Sequence, residues 1–336
     1  MVSNQSSRPK AQIPLEKVAK RLILHCSSYI IINQTYRKVP TMKLYAPEYY
    51  KQFQCIADKC DHSCCIGWEI DIDEETLRKY QSLGEGYGKV VKSSISYEGD
   101  PHFVLSAHDR CPHLDANGLC KIIRNLGEKH LCVICREHPR FYNFTSVAEV
   151  GIGMSCREAA RVVLSSPHYA VLEEIGALDA VEDKGNFDGR SERSKVYDVL
   201  QDRTEDYRAR LERIYRAYEI PVGEDTTWKN KIETLEYLND EHKSLFLQYA
   251  SQCRPFGKDE YLERSLAYFI YRHCTEALDA ADFRDRLAFC LFCERLLASL
   301  IASEAAESLA EIATLASILS EEIEYSDENT QALTFA

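Results

Sequence analysis

Nine of the chain's 14 cysteines stand between residues 55 and 156: Cys55, Cys60, Cys64, Cys65, Cys111, Cys120, Cys132, Cys135 and Cys156. Cys132-Val-Ile-Cys135 has the spacing at which two thiolates reach one metal ion from a single turn. Cys64 and Cys65 are adjacent and poorly placed to serve one tetrahedral site, so they feed two sites or one of them stands behind the other's ligand shell. Thiolate-rich sets of this kind hold zinc or an iron–sulfur cluster. Six of the ten histidines (His62, His102, His108, His113, His130, His138) fall in the same region and are available to a zinc site. An all-sulfur set leans toward iron–sulfur, because four thiolates complete one four-iron cluster and enough remain for a second metal. The alternative is that some are free cysteines packed as small hydrophobes, an explanation that nine in about a hundred residues strains.

Other features with chemical potential are weaker. Cys290-Leu-Phe-Cys293 repeats the two-residue spacing inside an apolar helical run, where core packing explains it. Cys26, Cys253 and Cys274 are isolated. Gly84-Glu-Gly-Tyr-Gly88 imitates a nucleotide-binding glycine loop, but a charged helical segment precedes it rather than a buried strand, so it reads as a plain loop. Cys60-Asp-His-Ser-Cys64 begins a radical-enzyme CxxxCxxC signature, but its third position is Gly67. Arg136, His138, Arg140 and Tyr142 follow the last CxxC closely. They are placed to line a pocket and bind a carboxylate, or to brace the thiolates electrostatically. No residue stands out as a catalytic base or nucleophile.

The elements that must position these groups are mostly helical. Trp68–Ile72 alternates for one short strand, and Asp73 is placed to cap a helix through Thr76, Leu77 and Tyr80. From Cys111 to Cys156 short loops and single helical turns are expected. Tyr207, Leu211, Ile214, Tyr215 and Tyr218 lie on one helical face, and Leu262, Leu266, Phe269, Ile270 and His273 repeat the spacing. Residues 287–301 are apolar nearly all round, interrupted only by Glu294, Arg295 and Ser299, which predicts a buried central helix. The expected architecture is mainly α with a loop-rich cysteine region. It divides into a basic stretch 1–41, an N-terminal metal- or cluster-binding unit 42–175, a polar linker 176–194 and a C-terminal helical unit 195–336. The basic stretch is expected to be a poorly ordered tail or an over-extended start, with Met42 the natural first residue.

Charge and composition narrow the function. The formal net charge of −12 becomes −18 over residues 42–336, a poor match to nucleic acid and a better one to a basic target such as an exposed lysine. No apolar run approaches the length of a membrane span. Without a convincing export signal, the expected compartment is the reducing cytoplasm, where clustered thiols bind metal rather than pair as disulfides.

Segments MKLYAPEYYKQFQCIADKCDHSCCIGWEIDID, CPHLDANGLCKI, GEKHLCVICREHPRFYN, SCREAARVVL and SEEIEYSDEN together resemble the bacterial flagellin lysine-N-methylase family. The cysteine region is similar to the zinc- or iron-chelating CxxCxxCC proteins. The resemblance covers about residues 42–334. It implies methyl transfer from S-adenosylmethionine to lysine ε-amino groups of flagellin, with an associated iron–sulfur cluster. The cysteines that match are Cys60, Cys64, Cys65, Cys111, Cys120, Cys132, Cys135 and Cys156, with Cys55 matching more loosely. Family members often carry proline after the last cysteine, where this chain has Arg157. The rival expectation is a non-enzymatic zinc- or iron-chelating module, or a redox carrier, whose helical half docks a partner.

Overall fold

The computed structural model describes residues 41–180, 187–223, 225–250 and 254–334. Cys26, Cys253 and the basic stretch up to residue 40 lie outside them. The chain order is β1 (Thr41–Pro47), α1 (Glu74–Ser82), α2 (Tyr87–Ser93), β2 (Ile95–Ser96), β3 (His102–Phe103), α3 (Lys121–Leu126), α4 (Val133–Glu137), β4 (Arg140–Phe144), β5 (Ala148–Ile152), α5 (Arg157–Ser165) and β6 (Leu172–Asp179). Helices α6 (Gly189–Leu200), α7 (Tyr207–Ala217), α8 (Asp225–Thr234), α9 (Asp240–Phe246), α10 (Asp259–His273), α11 (Ala280–Ser303) and α12 (Leu309–Leu319) follow. A π-helical turn Ser320–Glu324 and α13 (Asp327–Thr334) close the described chain.

The helical character expected from periodicity is present. Tyr207, Leu211 and Ile214 are buried on α7, and α11 is the buried central helix. Its three polar interruptions each find a partner, because a charge in such a helix is tolerable only when paired. Glu294 accepts from Tyr207 Oη at 3.1 Å and from Arg254 at 2.5 Å. Ser299 Oγ accepts from the Ala250 amide, and Arg295 donates to the Val222 carbonyl. Cys274, Cys290 and Cys293 are buried in this core, and the first two sulfurs lie 3.7 Å apart.

Three expectations need correction. Trp68–Ile72 forms no strand, and of these residues only Asp71 makes an isolated bridge, to His102. The stretch 111–156 holds more than loops and single turns, for β4 and β5 form a hairpin there. With β1 and β6 they make a sheet of order β4-β5-β1-β6, in which β1 runs parallel to β5 and antiparallel to β6. The pairing partners of β1 come from more than a hundred residues further on, so no local pattern reveals them. The stretch 176–194 expected as a linker instead carries the end of β6 and the start of α6. Residue 177 pairs with Lys43, and the Asp188 carboxylate caps α6 by accepting from Ser191 N.

Two cores result. The large one joins the sheet face through Phe141 and Ile152 to α5, α10, α11 and α12. A smaller one is built on Ile70, Ile72, Tyr80, Val91, Phe103 and Ile122, and it includes Cys111 and Cys132. The sheet and the large core meet at a buried charge cluster. Glu149 on β5 is fully buried and receives Arg193 in a bidentate pair at 2.6 and 2.9 Å, with Arg190 Nε at 2.6 Å.

Candidate metal centre and adjoining cleft

Five of the cysteines, Cys65, Cys111, Cys120, Cys132 and Cys135, are held by short elements of the smaller core. One carboxylate, Asp73, organises two of these elements. Its Oδ1 caps α1 by accepting from Thr76 N at 2.9 Å, as the capping pattern predicts, while its Oδ2 accepts from Val133 N at 2.8 Å. That second bond fixes the turn on which Cys132, at the start of α4, and Cys135 stand. Tyr80 closes the same corner: its hydroxyl donates to the His130 carbonyl at 2.5 Å and lies 3.5 Å from Cys132 Sγ. The Cys111 amide donates to the Cys65 carbonyl at 2.8 Å, which brings the two distant cysteine blocks together. The chain reaches this register through Gly67, at φ +86°, a left-handed conformation that glycine adopts without cost.

Cys65, Cys111, Cys120, Cys132 and Cys135 stand close enough for charge on one to act on others. Charge on Cys65, Cys156 and Cys55 acts on Cys64, and charge on Cys60 and Cys55 acts on Cys156. A hydrogen bond from Cys64, helped by Ser63 and the Arg110 charge, brings Cys65 down to about 7 against the effect of burial. The same Cys64–Cys65 hydrogen bond pushes Cys64 well above the ordinary thiol range. Burial pushes Cys111 up to about 12 and Cys156 up to about 11. Among the described residues, no three cysteine, histidine, aspartate or glutamate side chains converge at ion-coordinating positions. What fits a thiophilic metal is the donor set: nine described thiols in one region, none in a disulfide. His113 takes no part, because its two ring nitrogens are satisfied by Tyr87 Oη at 2.8 Å and Ser94 Oγ at 2.9 Å, and burial pushes it down to about 4.

Beside the thiols lies a small cleft, partly open to solvent and lined by Cys64, Cys65, Trp68, Glu69, Ile70, Ile134, Cys135, His138 and Tyr325. Trp68 meets Tyr325 edge to face at 5.8 Å between ring centres. His138 lines the cleft with a buried, unpartnered Nε2, and burial, reinforced by His62, Arg140 and Arg272, pushes it down to about 4. Of the other two residues proposed with it from sequence, Arg140 turns away to donate to Tyr50 Oη at 2.8 Å, with its guanidinium over the Tyr50 and Phe53 rings. Arg136 is half-exposed and paired with Glu137.

The sequence marks Trp68 and Glu69 only as part of an alternating stretch and gives no sign of Ile134 or Tyr325 as cleft residues. Tyr325 follows the π-helical turn, a distortion frequent at functional sites, and no periodicity marks it. Three carboxylates of that turn each meet a histidine: Glu321 with His62 at 2.8 Å, Glu322 with His242 at 2.7 Å and Glu324 with His273 at 2.7 Å. Arg272 lies over the Tyr325 ring at 4.8 Å and over Phe141 at 5.0 Å. Arg157, where the resembling family often has proline, pairs with Asp61 at 2.7 Å and so ties the 55–64 loop to the start of α5.

The chain is 27% identical over 137 residues to the lysine-N-methylase of Salmonella typhimurium, a match covering 38% of this chain and 34% of that one. The corresponding protein of Salmonella choleraesuis gives the same figures. The flagellar biosynthetic protein FliU of Salmonella muenchen also matches at 27% over 137 residues, which is 80% of its length. The matched segment thus spans about a third of the lysine-N-methylases. No family model matches the chain, and no solved structure matches it. Two relatives are named for lysine methylation and one for flagellar biosynthesis. No helix of the described residues is long and apolar enough to cross a membrane.

The packing behind Tyr325 is testable. A Cβ added at Gly153 would lie 2.7 Å from Tyr325 Oη, 2.8 Å from Arg272 Nη1 and 3.1 Å from the Pro139 carbonyl. Gly153→Ala is therefore expected to displace Tyr325 and cost about 1–3 kcal/mol, read as a lowered urea midpoint at unchanged slope.

Proposed function

We propose that the protein transfers methyl groups from S-adenosylmethionine to lysine ε-amino groups of a protein substrate, flagellin being the favoured one. The observation that carries the reading is the shared wall of the cleft. Cys64, Cys65 and Cys135 line it together with Trp68, Tyr325 and His138. A metal-binding donor set and walls suited to an organic ligand therefore meet in one place. The names of the relatives supply the reaction class, and the acidic surface suits a lysine-bearing target.

The nine cysteines Cys55, Cys60, Cys64, Cys65, Cys111, Cys120, Cys132, Cys135 and Cys156 are the residues that would hold an iron–sulfur cluster, or zinc in its place. When bound, such a cluster would supply Lewis-acid chemistry toward the donor's amino and carboxylate groups. The chain's own residues do the remainder. Trp68 and Tyr325 offer faces for the adenine ring, Glu69 attracts the cationic lysine head, and His138, neutral at pH 7, presents a ring nitrogen to a polar group of either reactant. Lysine attacks only as the neutral amine, which is scarce at neutral pH because its ordinary pKa is near 10.4. The apolar walls at Ile70 and Ile134 favour that neutral form by excluding water.

Equilibrium binding of S-adenosylmethionine to the anaerobically purified, metal-loaded chain tests the assignment of the cleft. Saturable binding is expected, weakened by about 5- to 100-fold in Trp68→Ala, the loss of one base–aromatic stack. Metal content without any donor binding would instead favour a chelating or carrier module.

A further inference from the structure

We infer that Arg272 is a positioning residue for the cleft: its guanidinium, held between the Phe141 and Tyr325 rings, sets the orientation in which Tyr325 meets a bound ligand. This deepens the reading above and rests on it only in taking the cleft as the donor's site.

Arg272 is paired unlike the other buried arginines. It stands near the end of α10 and is 6% exposed, where a charge is tolerable only with a partner. Elsewhere in the molecule such pairing is bidentate. Glu149 takes Arg193 at 2.6 and 2.9 Å, and Glu263 takes Arg203 at 2.5 and 2.6 Å. Beside Arg272, Glu324 Oε1 lies 3.4 Å from an Nε that makes no hydrogen bond. That carboxylate is already engaged by His273 at 2.7 Å and by the Tyr268 hydroxyl at 3.0 Å. Arg272 Nη1 donates to Tyr268 Oη at 3.0 Å.

The guanidinium is fitted to rings rather than to its carboxylate. It lies 5.0 Å from the Phe141 ring centre and 4.8 Å from that of Tyr325. A planar guanidinium stacks in such a space and an ammonium does not, and the attraction is strongest where water is excluded.

The effect reaches the cleft through Tyr325, which lines it and meets Trp68 edge to face. Tyr325 directly follows the π-helical turn, so no regular helix fixes its direction. Its hydroxyl and Arg272 Nη1 share one niche over Gly153, because a Cβ there would lie within 2.8 Å of both. Ring and guanidinium are therefore set together. Without the planar partner the ring takes up other orientations, and the apparent affinity of the cleft falls with the fraction of chains that keep the competent one.

Arg272→Lys separates this role from simple neutralisation of Glu324, since it keeps the charge and removes the plane. In the full chain, purified and metal-loaded anaerobically, it is expected to weaken equilibrium binding of S-adenosylmethionine about 3- to 30-fold. In a Tyr325→Ala background the same substitution should change binding by less than about 2-fold, because its effect passes through the ring. Equal losses in the two backgrounds, or unchanged binding in Arg272→Lys, would overturn the inference. A purely structural arginine would lower the urea midpoint and leave the affinity of the folded chain as it was. Should Arg272→Lys fail to fold, Phe141→Leu opens the other side of the sandwich, leaves the ion in place and is judged by the same two outcomes.

Emission of Trp68 in the ligand-free Trp228→Phe chain reads the same arrangement without the donor. Arg272→Lys should reproduce most of the emission change of Tyr325→Ala, and emission identical to that of the parent would count against the positioning role. A wild-type chain that binds no donor would thus refute the proposed function, while the placement of Tyr325 by Arg272 is still decided by emission.

Discussion

Stripping the metal-loaded chain with a strong chelator will melt its cysteine-bearing unit while the helical unit keeps its secondary structure. The smaller core rests on a few large side chains, chiefly Tyr80, Phe103 and Ile70, and on elements as short as α3, α4 and the two-residue strands β2 and β3. A core of that size supplies only about 3–5 kcal/mol, so small units need a staple. Metal binding to a thiolate set contributes more, about 10–16 kcal/mol for a structural zinc. Burial also holds Cys111 and Cys156 as thiols at neutral pH, so loading must release protons. The two tryptophans report the halves separately. Trp68 lies in the cysteine unit against Tyr325, and Trp228 is stacked on Phe292 at 4.0 Å between ring centres. In a Trp228→Phe background, chelation should shift Trp68 emission to that of a solvated indole, while helical circular dichroism falls only slightly.

Removal of the Glu149 carboxylate is expected to be the most damaging single change in the large core. Glu149→Ala leaves Arg193, buried and bound also to Thr275 Oγ1 and lying over the Tyr271 ring, with an uncompensated charge. Breaking one side of such a pair costs about 3–5 kcal/mol, which chemical denaturation would show as a large drop in midpoint. Glu149→Gln keeps an acceptor and should cost less. The pH dependence follows from the same contacts. Burial works to raise the Glu149 pKa, but Arg193 and Arg190 hold it below the ordinary carboxylate value. Its stabilisation is therefore fully present above the unfolded carboxyl pKa, near 4.3, and is lost as pH falls through the lower folded value. In Glu149→Gln the acid limb of stability should be correspondingly shallower.

How far the sequence discloses this arrangement depends on the range of the contacts involved. Elements fixed by neighbours within a turn are legible: the Asp73 cap, the faces of α7 and α10, and the buried run of α11. The sheet is not, because β1 takes partners at 148–149 and 172–179, and the hairpin between β4 and β5 hides in a segment whose cysteines dominate its pattern. Charged residues mislead for the same reason. Nothing near Glu149 in the sequence marks it as buried, because its partners Arg190 and Arg193 arrive on α6. The cysteines announce themselves by spacing, yet the cleft beside them needs Tyr325 from the far end of the chain. Its approach depends on the π-helical turn and on the bare backbone of Gly153.

The central claim is methyl transfer to lysine at this cleft, and one measurement meets it directly. The anaerobically purified, metal-loaded chain is incubated with methyl-labelled S-adenosylmethionine and unmodified flagellin, and the flagellin is then digested and sequenced by mass spectrometry. Label confined to lysine side chains, dependent on loaded metal and sharply reduced in Trp68→Ala, is the predicted result. Unlabelled flagellin from a chain that retains its metal and binds the donor would contradict the account.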